Sequence, residues 1–124
     1  MLKYLASPYS DPDPAVCEAR FRAACRAAAI LMQRGESVYS PIAHSHPIAE
    51  HVGNHLDHDF WLRQDREMLR RCDAMIVLML PGWENSRGIA AEIELADELD
   101  LEVLYMDPSV VFGCETCSPA GEKE

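Results

Sequence analysis

Ala74 to Leu80, AMIVLML, is a β-rich run without a polar residue, bounded by Asp73 on one side and Pro81-Gly82 on the other. A strand that is apolar on both faces has to be covered on both faces, as a parallel strand inside an α/β sheet is. The next residues, PGWENSRGIAAE from Pro81 to Glu92, must turn and then open an alanine-rich helix. Asn85 or Ser86 can cap that helix. Its first-turn N–H groups have no internal partner, which makes this end a place to hold an anion such as a phosphate. Gly88 lies one turn before Glu92 on the same face and leaves open space above the carboxylate. A carboxylate at the mouth of a pocket beside an anion site suggests chemistry on a nucleotide. A capped surface helix carrying a solvated glutamate satisfies the same residues.

The rest of the chain supplies matching elements. Leu2 to Ala6 reads as a first strand, closed by Ser7-Pro8-Tyr9-Ser10. Asp13 is the expected N-cap, with Pro14 at the first position of a helix to about Arg34. That helix puts Cys17, Phe21, Ala24, Ala28 and Leu31 on one face, and Gly35 stops it. Ser37 to Ser40 is a short second strand. Pro41 to Asn54, with two prolines, a glycine and no clean period, reads as a long loop. A helix from about His58 to Arg71, the apolar strand, the helix from Ser86 to Leu99 and a strand from Glu102 to Tyr105 complete the order. This alternation predicts a single-domain, Rossmann-like, doubly wound parallel sheet of about four to five strands with right-handed crossovers. The domain is expected over residues 1–110, with a polar tail from 111 to 124. Ligands of such sheets sit beyond the carboxyl ends of the strands, where 7–10, 40–54 and 81–86 would meet.

At 124 residues and 48% hydrophobic, the chain has an ordinary core for one compact domain. A net charge of −10 argues against a nucleic-acid surface, which needs clustered Lys and Arg. No stretch approaches the roughly 20 apolar residues of a membrane span, and the start, MLKYLASPYS, is too soon broken by proline for a signal peptide. A cytoplasmic protein is expected. Of five cysteines, Cys17, Cys25 and Cys72 fall in helical patterns and read as small buried apolar residues. Cys114 and Cys117 form a lone C-x-x-C, short of the four ligands of a structural zinc site.

Asp65 is a second clue. The inward stripe of its helix reads Trp61, Asp65, Met68, Leu69 and Cys72, so a carboxylate stands where the spacing asks for an apolar side chain. A buried charge must be paired, which makes the position a structural ion pair or a functional one. With Glu92, Asp65 completes the pair of carboxylates that glycosidic cleavage uses. Ser7 and Tyr9 flank the presumed pocket, and Tyr9 can line a base or sugar site or be an ordinary loop aromatic. Trp83 offers an indole for stacking or for a subunit contact. All five histidines fall between His44 and His58. His51 and His55 would share a face if helical, and His44 and His46 could converge, so zinc, pocket-lining and solvated roles are all open.

These residues resemble the nucleoside 2-deoxyribosyltransferase-like superfamily, which includes nucleoside 5′-monophosphate N-glycosidases. The resemblance runs from KYLASPYS through PIAHSHPIA and the W-x-x-x-D of Trp61 and Asp65 to RCDAMIVLMLPGWENSRGIAAEIELA. It is strongest to the small bacterial and phage branch. Its most specific part is the S-x-G-x-x-x-E of Ser86, Gly88 and Glu92. The resemblance implies that Glu92 attacks the anomeric carbon and that Asp65 contacts the sugar or assists protonation. The nucleotide hydrolases have a serine at Ser86 that binds the 5′-phosphate, whereas deoxyribosyltransferases often have aspartate there. The first loop departs from the pattern, with Ser7-Pro8-Tyr9-Ser10 where the hydrolases have a glycine- and arginine-rich phosphate binder. Arg87 can supply the missing cation. The superfamily's habit of completing the pocket from a neighbouring subunit implies a homo-oligomer, at least a dimer.

The leading expectation is an N-glycosidic-bond hydrolase or transferase acting on a nucleotide or nucleoside without a cofactor. Its rivals are a non-catalytic nucleotide-binding or sensing module with the same fold and a metal-dependent hydrolase built on the histidines.

Overall fold

The computed structural model describes residues 1–52 and 58–112. Within them the chain runs β1 (Leu2–Ala6), α1 (Pro14–Gln33), β2 (Ser37–Tyr39), α2 (Pro41–Val52), α3 (His58–Leu69), β3 (Ala74–Leu78), a 3-10 turn (Trp83–Asn85), α4 (Arg87–Glu98), β4 (Glu102–Met106) and α5 (Ser109–Phe112). The four strands form one parallel sheet in the order β2-β1-β3-β4. The chain winds from β1 outward to β2, then crosses to β3 on the other side of β1. The carboxyl ends of β1 and β3 therefore flank the point where the winding reverses, which is where doubly wound sheets open a crevice.

The pleat divides the core in two. Leu5, Ile76 and Leu78 point to the face covered by Ala23, Ala27, Ala28 and Leu31 of α1 and by Val111 of α5. Tyr4, Ala6, Met75 and Val77 point to the other, covered by Leu69 and Cys72 at the end of α3 and by Ile89, Leu95 and Ala96 of α4. β3 is buried along its whole length, as its apolar run requires. Alanines dominate the buried face of α1, so the helix lies close to the sheet.

Several sequence expectations are corrected. Of the segment 41–54 read as a loop, Pro41–Val52 forms α2, and 53 and 54 lie outside the described residues. Pro41 stands at the helix start, where its missing N–H is no loss, and Ser40 Oγ accepts from the Ala43 N–H at 3.1 Å as a cap. Pro47 interrupts the internal bonds, yet Ile42, Ser45, His46 and Ala49 still fall on one face at helical spacing. Met68 of the presumed inward stripe of α3 is 36% exposed. Cys17 and Cys25 are only partly buried. Val111, read as the start of the tail, is 1% exposed and part of the core. Cys114 and Cys117 lie outside the described residues.

The caps behave as read. Asp13 Oδ1 accepts from the Ala15 N–H at 2.9 Å, and Gly35 ends α1 at φ +93°. Replacing Asp13 by Ala leaves those first-turn donors to water, and denaturant unfolding should report a loss of about 1 kcal/mol.

Candidate active site

A cavity of about 620 Å³ opens at the carboxyl ends of the strands. Ser7, Tyr9 and Ser10 from the β1 exit form one wall, and Pro41, Ile42, Ser45, His46 and Ala49 of α2 form the next. His58, Trp61, Leu62 and Asp65 of α3 face them, and Asn85, Ser86, Arg87, Gly88 and Glu92 close the floor and lip from α4. The size is that of a small-molecule site.

Glu92 carries the unusual chemistry. It sits in the second turn of α4 and is 6% exposed. The fully buried Tyr4 of β1 donates its hydroxyl hydrogen bond to Glu92 Oε2. Burial raises the Glu92 carboxyl from 4.5 to about 8; the Tyr4 bond opposes that rise, and Asp65 adds to it. Tyr4 is itself pushed well above its ordinary value, chiefly by burial and then by Glu92 and Asp65, so the phenol stays a donor.

Asp65 lines the cavity and has no ion-pair partner among the described residues, which removes the structural ion pair as its explanation there. Burial alone raises it to about 6. Its field reaches Tyr39, which burial first and Asp65 second push to about 12. Asp65 and Glu92 thus line one cavity as two poorly solvated carboxyls, with the phenols of Tyr4 and Tyr39 coupled to them from the core behind, an environment typical of functional sites.

The anion side is equally defined. Ser86 caps α4, with Oγ accepting from the Ile89 N–H at 3.2 Å. Arg87 is exposed at the cavity lip, with no carboxylate partner among the described residues. Ser7 Oγ is buried without a hydrogen-bond partner among the described residues, in a residue only 6% exposed. A Cβ added at Gly88 would meet nothing nearer than Ser86 Oγ at 3.8 Å, so the space it leaves belongs to the cavity.

Arg20 of α1 holds the loops in place. Its guanidinium donates to the carbonyls of Tyr9 at 3.3 Å, Ser10 at 3.0 Å and Pro81 at 3.1 Å, tying the β1 and β3 exits together. Gly82 makes room for it: the residue has φ +92°, and a Cβ there would lie 2.8 Å from Arg20 Nη2.

Of the residues singled out from sequence, Ser7, Tyr9, Asp65, Ser86, Arg87, Gly88 and Glu92 come together. Two do not line the cavity. His44 turns to Tyr39, with Nδ1 3.3 Å from the phenol oxygen, and Trp83 packs on Tyr105 with ring centroids 5.8 Å apart. Sequence reasoning missed Tyr4, although a tyrosine in an inner strand must find a partner for its hydroxyl. It also favoured His44 over His46, because the helical spacing of 42, 45, 46 and 49 was hidden by the prolines. His55 lies outside the described residues. Among the described residues no three His, Cys, Asp or Glu side chains gather as a metal set, and no helix is long and apolar enough to cross a membrane.

The family model described as a domain of unknown function, DUF1937, matches residues 2–108. The chain belongs to that family. No curated protein matches the chain in sequence. Among solved structures, the 2-deoxyribosyltransferase of the psychrotolerant bacterium Bacillus psychrosaccharolyticus matches with a TM-score of 0.63 and 21% identity. The match covers 87% of this chain and 73% of that one. This DUF1937 member therefore has a nucleoside 2-deoxyribosyltransferase-like fold, as the sequence motifs implied.

The buried carboxyl has a measurable cost. A Glu92 that ionises near 4.5 unfolded and near 8 folded takes up a proton on folding between those values. Its stabilising effect is complete below about 4.5 and is lost as pH rises through about 8. Glu92→Gln removes the titration and can still accept from Tyr4. Its melting temperature should gain on the wild type between pH 5 and pH 8 by about 5 °C or more, the scale of 1 kcal/mol in a domain of this size.

Proposed function

We propose that the protein cleaves or transfers the N-glycosidic bond of a nucleotide, with Glu92 as the nucleophile. The observation that carries this reading is a carboxyl buried at the floor of a small-molecule cavity, hydrogen-bonded by Tyr4 and neighboured by the unpaired carboxyl of Asp65. The bacterial relative of like fold is described as a biocatalyst for nucleoside synthesis, which suits the same chemistry.

Glu92 Oε attacks the anomeric carbon as the C–N bond breaks, and the bond's electron pair leaves on the base. The oxocarbenium-like charge that develops on the sugar favours the ionised Glu92 that burial disfavours, so the site stabilises the transition state more than the bound substrate. Tyr4 fixes the second carboxyl oxygen. Asp65 orients a sugar hydroxyl and adds negative potential. Water then releases the sugar as a hydrolysis product, or a second base accepts it.

Ser86, the N–H groups opening α4, Ser7 Oγ and Arg87 form the 5′-phosphate end of the site. A cation beside a helix start favours a nucleotide over a nucleoside. The protein is expected to act as a homo-oligomer in the cytoplasm.

Chromatographic base release from ribo- and deoxyribonucleoside 5′-monophosphates and their nucleosides tests this reading. Wild type should release base and Glu92→Ala should not; equal rates would refute the assignment, and ligand-induced thermal stabilisation without base release would instead assign a binding module. Arg87→Ala should raise KM for the monophosphate about tenfold or more, the scale of one charge-assisted hydrogen bond, with little effect on the nucleoside. Because the nucleophile must be ionised, kcat/KM for a nucleotide whose base needs no proton to leave, such as an N7-methylated guanine, should climb as pH rises through about 8.

A further inference from the structure

His46 occupies a built position that the cleavage step above does not use. Its ring stacks on Phe21 of α1 at a centroid distance of 4.0 Å and 21° between planes, which fixes its orientation. Both ring nitrogens are engaged: Nδ1 lies 2.7 Å from the Tyr9 hydroxyl and Nε2 lies 3.0 Å from Glu18 Oε1. Glu18 also holds Arg22 at 3.0 Å and is 45% exposed, so one end of this chain reaches water. At the other end, Tyr9 and His46 line the cavity that contains Glu92. The three residues come from three separate segments: the β1 exit, α1 and α2.

We propose that Glu18, His46 and Tyr9 form a proton relay at the cavity wall, with the Tyr9 hydroxyl as the group that protonates the departing base. This rests on the glycosidic reading of the Glu92 site. Tyr9 would be the catalytic residue; His46 and Glu18 are positioning residues that act through it.

The proton balance is closed. In the donor state His46 is an imidazolium, with Nδ1–H donating to the Tyr9 oxygen and Nε2–H to the Glu18 carboxylate, and the Tyr9 O–H is free to face the ligand. As the C–N bond breaks, its electron pair passes to the base, and the Tyr9 proton bonds to a ring nitrogen of that base. The Tyr9 oxygen takes the Nδ1 proton of His46. The neutral imidazole keeps its Nε2–H on Glu18 and is left with a bare Nδ1. Tyr9 then donates to that bare Nδ1; when water or a second base attacks the glycosyl ester, the Tyr9 oxygen takes its proton while the Tyr9 proton passes to Nδ1, which restores the imidazolium.

Burial raises the Tyr9 phenol, with Cys17 and Glu18 adding to the shift, which keeps it a donor rather than an anion. The relay also senses other charges. Arg22 competes for Glu18 from α1, and Arg20 binds the Tyr9 carbonyl. Across the cavity stand Asp65 and His58 of α3 and Arg87 and Glu92 of α4.

The test compares two leaving groups. A guanine nucleotide needs a proton as its base departs, whereas its N7-methylated counterpart already carries the positive charge and leaves neutral. In Tyr9→Phe and His46→Gln, the ratio of kcat on the methylated nucleotide to kcat on the unmodified one should rise about 100-fold, the lower range for a lost general acid. Glu92→Gln should lose both activities alike. An unchanged ratio in Tyr9→Phe overturns the relay while leaving the glycosidic reading intact. A wild type that releases base from neither this pair nor any other nucleoside 5′-monophosphate overturns both. A second readout needs no turnover: Tyr9→Phe should shift the Nδ1 resonance and titration midpoint of His46 in 15N imidazole spectra, and an unshifted His46 would show that the relay does not operate.

Discussion

The hydrogen bond from Tyr4 to Glu92 joins the central sheet to the helix that carries the site. A carboxyl so far from water costs several kcal/mol to ionise. Tyr4 offsets part of that cost by donating to it, and the phenol is in turn too buried to surrender its proton. Neither group has a rationale alone. A tyrosine in an inner strand needs an acceptor, and a glutamate on the buried side of α4 needs a donor. Moving either by one residue would turn it to the other face of the sheet or helix.

The remaining architecture keeps this pair at the edge of a cavity rather than inside a sealed core. The winding reverses between β1 and β3, so their exits part, and Arg20 bridges the gap through three backbone carbonyls. This is a clamp made from main-chain acceptors, independent of which side chains the loops carry toward the ligand. α2 and α3 then wall the opening with aromatic and hydroxyl groups, and α4 points its amide end inward. The carboxyls of Asp65 and Glu92 on one side and the positive helix start with Arg87 on the other give the cavity a polarity. That polarity suits a ligand that is anionic at one end and develops positive charge at its centre.

Much of this was legible from residues because local signals agreed. The apolar run at 74–80 dictated a covered parallel strand, Asp13-Pro14 and Ser86 marked helix starts, and Gly88 and Glu92 lay one turn apart on the helix that Ser86 caps. What stayed hidden was non-local. Two prolines disguised α2 as a loop, because their cost is local while the gain from one buried face depends on α1 and the cavity. The Tyr4 to Glu92 contact spans 88 residues of sequence, and no periodicity reports on such a pair. His46 is similar: its partners Glu18 and Phe21 are far away in the chain, and only the fold chooses it over His44.

The measurement that bears most directly on the Glu92 assignment is intact-protein mass spectrometry after incubation with a nucleotide whose sugar carries an electron-withdrawing 2-fluoro substituent, which slows breakdown of a glycosyl ester more than it prevents its formation. The account predicts an added mass of one sugar phosphate, mapped by peptide sequencing to Glu92 and absent from Glu92→Gln. Base release with the label on another residue, or an adduct that survives in Glu92→Gln, would contradict it.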